Sequence, residues 1–426
     1  MTSDASVSTY SQPNFQLKMS KAKWENNEEV RIFREYLRIP SVHPNVDYTP
    51  CVEFLKRQAA SLSLPVDVVY LRSEASPVVI IKWLGKQPEL PSIILNSHMD
   101  VVPVFPDKWI HGPFSAHLDD EGRIYGRGSQ DMKCVATQYL GAIRSLIADG
   151  YQPRRTVYLT FVPNEEAGHD GMVDLVKKDY FKKLNVGFSF DEGIASEDET
   201  FSLFYAERTV WQLKFKFGGT AGHGSMLLPN TAGEKFNYVV KKMMEFRASQ
   251  VKLLEEHPNL DIGDVTTVNL TRIGGGVQNN VVPASLEAYF DIRIAITEDL
   301  HAFEKQIRKW SAEAGEGIDI IFEAKEDYAE PTKIDASNPY WMAFKQGIDE
   351  LGLKTRVRVF PGGTDSRFLR HLGIPALGFS PINNTPVLLH DHNEYLGADT
   401  YLRGIAIYKK LIASVANVLA YTTLQS

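Results

Sequence analysis

The sequence predicts a layered α/β protein: a large domain on a mostly parallel mixed sheet, interrupted by a smaller α+β domain. Three observations carry this. Near-continuous apolar, β-branched runs such as SIILNSH at 92–98 alternate with amphipathic helical stretches, as buried strands of a parallel sheet do. Near residue 208 the pattern changes to strict alternation, as in VWQLKFKF at 210–217, the signature of a half-buried strand. From residue 338 the first pattern returns.

Taken in order, residues 1–26 are polar with no sustained period and are expected to form a mobile arm or to lie across another surface. A helix is expected from Asn27 to Tyr36, ended by the Pro40 break, and another from Pro50 to Leu62. Strands follow at 66–71, 77–84 and 92–98, then a helix from Asp131 through Ile147 and strands at 156–163 and 186–191. The middle segment reads as strand 210–217, helix 231–254, two alternating runs (TTVNLTRIGG and LEAYFDIRIAI), helix 299–315 and strand 318–323. That β-α-β-β-α-β order is ferredoxin-like. A helix at 338–352, strands at 355–360 and 375–379 and a final helix at 400–419 complete the chain. The expected division is therefore an arm (1–26), a first catalytic part (27–207), an inserted domain (208–324) and a second catalytic part (325–426).

Composition removes several classes. At 426 residues the chain can bury a large core, and its net charge of -7 with scattered basic residues gives no footprint for nucleic acid or an anionic membrane. Two isolated cysteines, Cys51 and Cys134, form neither a disulfide framework nor a thiolate cluster and suit a reducing compartment. The N-terminus lacks the apolar core of a secretory signal, and no run has the length to span a bilayer, so a cytoplasmic location is expected.

Histidines and carboxylates recur at strand ends and helix entries: His98, Asp100, Asp131, Glu165, Glu166, Glu192 and His390. Such positions converge on one crevice in a layered α/β fold. Each also has a plainer reading. His98 and Asp100 can be a satisfied polar pair, Asp131 a helix cap, and Glu165–Glu166 a solvated turn. Adjacent residues of an extended chain point apart, so Glu165 and Glu166 are expected to have separate tasks. Asp191 competes with Glu192, and His392 with His390, while Glu394 can support the site or form an ordinary salt bridge. As a set, imidazole and carboxylate donors suit a hydrolytic zinc site, with two metals expected. The chain has no GxxxxGK[ST] nucleotide loop and no GxSxG serine elbow.

The motifs SHMDVVPV, GRGSQDMK, FVPNEEAGHDGM, FDEG, GTAGHGS, GGGVQNNVVPA, GGTDSRF and LLHDHNE together resemble the M20 family of metallopeptidases and deacylases, from about residue 27 to the C-terminus. The resemblance implies two zinc ions per subunit, one held by His98, Asp131 and Glu192 and the other by Asp131, Glu166 and His390. Asp131 would be the bridge, Asp100 would orient His98, and Glu165 would be the general base. It thereby favours Glu192 over Asp191 and His390 over His392. It further implies a lid and dimerisation role for the inserted domain, with His223 supplied in trans to a homodimer partner's site. Read alone, His223 in GGTAGHGS could simply satisfy a loop backbone. Arg367 offers a guanidinium fork suited to a substrate carboxylate, or else a helix-surface salt bridge. Asn280 could donate to the same carboxylate or to the scissile carbonyl.

The implied activity is hydrolysis of N-acyl-L-amino acids, small-molecule substrates, to a carboxylate and a free amino acid. Alternatives are a dipeptidase or aminopeptidase on the same scaffold, or a noncatalytic binding protein that has kept the fold.

Overall fold

A computed structural model describes residues 21–168 and 170–419. In chain order its principal strands are β1 (Val66–Tyr70), β2 (Pro77–Trp83), β3 (Ser92–His98), β4 (Val157–Val162), β5 (Val186–Asp191) and β6 (Phe201–Glu207). Then come β7 (Thr209–Gly218), β8 (Thr267–Gly275), β9 (Ser285–Ile294), β10 (Ile318–Lys325), β11 (Thr355–Phe360) and β12 (Ala376–Phe379). Eight of them form one sheet in the order β1-β2-β4-β3-β5-β12-β6-β11. Its centre is parallel, through β4–β3, β3–β5 and β5–β12, and β6–β11 is parallel too. The β1–β2, β2–β4 and β12–β6 pairs are antiparallel, so the sheet is mixed.

The central strands read as unbroken apolar runs because both faces are covered: every residue of β3 and of β4 is buried. Helices α1 (Lys21–Asn26), α2 (Glu28–Leu37), α3 (Thr49–Ser61) and α4 (Lys133–Ala148) come from the first part of the chain. Asn27 begins α2 by accepting the amides of Glu29 and Val30, so the sequence boundary there has a capping cause. The helix α4 lies against the last long helix, Ala398–Ala416, where the rings of Tyr139 and Tyr408 are 4.6 Å apart. Phe33 of α2 stacks on Tyr401 of that same helix at 4.4 Å.

The other four long strands form an antiparallel sheet of order β8-β9-β7-β10. Helices α5 (Ala232–Glu256) and α6 (Leu300–Ala314) cover one face of it. The alternation along β7 follows from that one-sided cover: Trp211, Leu213, Phe215 and Phe217 are buried between sheet and helices, while Gln212 and Lys216 are exposed. Their core is separate from the one beneath the eight-stranded sheet. Thr231 and Glu234 make a reciprocal capping box at the start of α5.

Three expectations need correction. Residues 21–26 are not a mobile arm but lie across another surface: they form α1, and Trp24 is 3% exposed, its indole N–H donating to Asp399 at 2.7 Å. The ring lies over Gly122, where a Cβ would meet it at 2.5 Å, and one anchoring aromatic leaves no periodic trace. The rest of the expected arm, residues 1–20, lies outside the described residues. Strand β6 went unpredicted; only Arg208 separates it from β7, yet the two belong to different sheets. Finally, the helix expected from Asp131 begins at Lys133. Among the described residues no helix is long and apolar enough to cross a membrane.

Candidate metal centre

Strands β4, β3 and β5 are neighbours and run in the same direction, so their C-terminal ends open side by side. His98 ends β3, Glu165 and Glu166 follow β4, and Glu192 follows β5. Asp131 reaches the same place from the loop before α4, and His390 from the loop at 387–394. This is the crevice outside the carboxyl ends of a parallel sheet, where α/β proteins place ligands.

Asp131 stands at its centre. Its Oδ1 lies 3.1 Å from His98 Nε2, and its Oδ2 3.1 Å from His390 Nε2. Glu192 Oε2 is 3.6 Å from the first imidazole, and Glu166 Oε2 is 3.0 Å from the second. The capping alternative for Asp131 therefore fails: Met132 holds the cap position of α4, with no side-chain cap bond. Donor atoms of His98, Asp131 and Glu166 lie within 4.8 Å of one another, as do those of His98, Glu165 and Glu192. Such closeness alone does not divide the donors into two sets. Each Asp131 oxygen faces a different imidazole.

The members of both competing pairs sit in different surroundings. Asp191 points into the protein, bonded to Asn96 and Ser366, and burial with the neighbouring Asp365 pushes its pKa up to about 7. Glu192 instead faces His98. His392 lies against the Phe105 ring at 6.0 Å, while His390 joins the cluster.

The electrostatics are those of crowded, buried acids. Burial, reinforced by Asp131, raises the pKa of Glu192 and of Glu166. Burial opposes charge on His98 and on Asp131 too, yet each is held ionised by the other and by their neighbours: His98 lies well above the usual imidazole range, Asp131 below the usual carboxylate range. Glu166 Oε1 is buried with no hydrogen-bond partner. Four carboxylates with two imidazoles and an orphaned carboxylate oxygen fit divalent cations, whose charge and open coordination such groups satisfy.

Asp100 holds His98, but through its backbone. The ring Nδ1 is 2.9 Å from the Asp100 carbonyl oxygen and 3.7 Å from its carboxylate. That carboxylate instead accepts the amides of Glu165 at 3.2 Å and Glu166 at 3.0 Å. Glu394 plays the matching part for Asp131. Fully buried, it accepts from the Arg127 guanidinium at 2.6 Å and from the amides of Gly128, Gln130 and Asp131, fixing the turn that delivers Asp131. Burial, against the pull of Arg127, brings its pKa up to about 7.

The remaining candidates lie elsewhere. His223 and Asn280 are brought together on a two-stranded ribbon in which Gly222–His223 pairs with Val281–Val282. His223 Nδ1 is 2.8 Å from Ser225 Oγ and the ring is exposed; Asn280 accepts from Gln278. Neither hydrogen-bonds to the cluster among the described residues. Arg367 is a correction, matching neither the free fork nor the surface salt bridge. It is buried, with Nε donating to Glu207 at 2.6 Å, Nη1 to Glu326 and Nη2 to the Arg208 carbonyl at 3.1 Å. Those partners flank the two places where the chain passes between the sheets, so the guanidinium is spent on that junction.

Fold and donor set together describe a metal-dependent hydrolase centre, and the chain belongs to peptidase family M20/M25/M40, whose sequence pattern it matches over residues 94–414. It is 47% identical over 395 residues to aminoacylase-1 of Mus musculus, covering 91% of this chain and 95% of that protein. Among solved structures it resembles an M20 family metallo-carboxypeptidase of Sulfolobus solfataricus, with a TM-score of 0.72, 19% identity and coverage of 92% and 99% of the two chains. A dinuclear metal-binding M20 peptidase of Bacillus subtilis superposes with a TM-score of 0.66 at 15% identity, covering 92% and 99%.

His390 sits between Asp131 and Glu166, whose hydrogen bonds push its pKa up to about 10. Ligation needs the neutral ring, so a metal held by His390 would displace that proton. Calorimetric titration of metal-free protein in buffers of different ionisation heat is expected to show proton release, with apparent affinity rising as pH climbs towards about 10. Uptake without proton release would contradict ligation by His390.

Proposed function

We propose that this protein is a dizinc hydrolase that cleaves the amide bond of N-acyl-L-amino acids, releasing a carboxylate and a free L-amino acid. The observation that carries the reading is the complete donor cluster in a chain 47% identical, over nearly its whole length, to an aminoacylase-1. His98, Asp131 and Glu192 would hold one zinc and Asp131, Glu166 and His390 the other; the division of the two Asp131 oxygens between the two imidazoles supports this partition.

The chemistry a zinc pair supplies when bound is acidification of a water and polarisation of the amide carbonyl. Glu165 takes the water's proton and returns it to the leaving nitrogen, the work of a general base that becomes a general acid. Asp100 supports that role by holding the Glu165 amide. The His390 imidazole is about half exposed, at 52%, which leaves this side of the centre open to an incoming substrate. His223, from the partner subunit of a homodimer, would donate to the carbonyl oxygen as negative charge develops there, and Asn280, beside it on the ribbon, would bind substrate. Residues 208–324 would then be an inserted ferredoxin-like lid and dimerisation domain between catalytic parts at 27–207 and 325–426. Their β-α-β-β-α-β order and separate core favour that division. The cytoplasm is the compartment this reading assigns.

Metal-quantified protein is expected to hydrolyse N-acetyl-L-amino acids faster than matched dipeptides with a free amino group, to stop on chelation and to recover with zinc. Glu165→Gln should keep its metal and lose about 10²–10⁴-fold in turnover. Preference for the free-amine dipeptides, or an active Glu165→Gln, would refute the substrate or the base assignment respectively.

For His223, inactive His223→Ala and inactive Glu165→Gln subunits are to be mixed and allowed to exchange. Activity should return in the hybrid dimers. Demonstrated heterodimers without activity would count against the trans arrangement.

A further inference from the structure

Behind the proposed base lies a segment that no step of the reaction touches: residues 41–48, between α2 and α3. It grips the loop after β3 through backbone and side chains together. Ser41 Oγ donates to the Met99 carbonyl at 2.6 Å, and the Val101 amide donates to the Ser41 carbonyl at 2.9 Å. The His43 amide donates to the Val101 carbonyl at 3.1 Å, and Val42 and Val101 form a parallel bridge. The same segment also grips the loop after β4, because the Tyr48 hydroxyl accepts the Asn164 amide at 2.8 Å.

The two grips meet at Asp100. Its carboxylate is fully buried, with Oδ1 taking the Glu165 amide and Oδ2 both the Glu166 amide and His43 Nε2, the last at 2.7 Å. A carboxylate rotates easily about its last torsion. Two amides from one turn define its position only as well as that turn is itself defined. The imidazole, anchored from a different part of the chain, fixes the carboxylate plane from outside the turn.

We infer that His43 is a positioning residue for the reaction: by holding Asp100 it sets the Glu165–Glu166 turn and so the aim of the Glu165 carboxylate. The inference rests on the proposed role of Glu165. His43 stands outside the donor cluster, so its loss should appear in kcat. Metal content and KM should stay, because Glu166 of the same turn is also held from the cluster side by His390 at 3.0 Å, and misplacing a base costs the transition state and not ground-state binding.

The test compares wild type, His43→Leu and His43→Gln with N-acetyl-L-methionine as probe, reading kcat, KM, bound zinc and circular dichroism. His43→Leu should lower kcat about ten- to hundredfold with KM and zinc within about twofold of wild type. His43→Gln, whose amide N–H can still donate to Asp100, should recover most of that loss. Should His43→Leu not fold, Tyr48→Phe removes the acceptor of the Asn164 amide and is expected to show the same kcat-only signature. Wild-type kcat in the folded variant, a loss that tracks zinc content, or a glutamine variant no better than leucine would overturn the inference. Glu165→Gln is measured alongside. If it stays active, the base assignment has failed; if it is inactive while His43→Leu matches wild type, only the positioning role has.

Discussion

The structure turns on one carboxylate shared between two imidazoles. Asp131 is buried, and each of its oxygens faces a different histidine, brought from positions 33 residues before and 259 residues after it. A buried carboxylate that divides its oxygens in this way needs cationic partners on both sides. Every other feature of the crevice serves that requirement. Parallel strands bring His98, the Glu165–Glu166 pair and Glu192 to one edge. The buried Glu394 shapes the turn that carries Asp131, and the Asp100 carbonyl fixes the His98 ring.

The supports of this centre come from remote parts of the chain. Asp131 depends on Glu394, more than two hundred and fifty residues away. Glu165 and Glu166 depend on Asp100, which in turn depends on His43. Each support is bonded to the turn that it holds, so an error in any one would be felt first in that turn. The four-stranded sheet is built on different terms. It has its own aromatic core, and Arg367 ties together the two crossings that connect it to the main sheet.

Much of this was legible in the sequence. The strands at 92–98 and 186–191 were expected at their observed limits, since a strand buried on both faces must be apolar throughout. The donors were legible as residues that follow such strands. Spacing alone could not separate Glu192 from Asp191, because one ends β5 and the other follows it, and only the positions of Asn96 and Ser366 send Asp191 inward. His43 left no signal at all: a lone histidine before a proline gains meaning only through a contact 57 residues away. Arg367 was misjudged for the related reason that Glu207 and Glu326, which bury it, are distant in sequence. Trp24 shows the same limit at the N-terminus, where a single buried ring anchors a helix too short to have a period.

The central claim is that Asp131 serves two metal ions at once. Zinc bound per chain in a folded Asp131→Ala variant, counted beside wild type by atomic emission and by anomalous diffraction, tests it most directly. The account predicts two ions in wild type and loss of both sites in the variant, since each ion loses a ligand and the charge that held the pair together. One ion retained at full occupancy in the variant would contradict it.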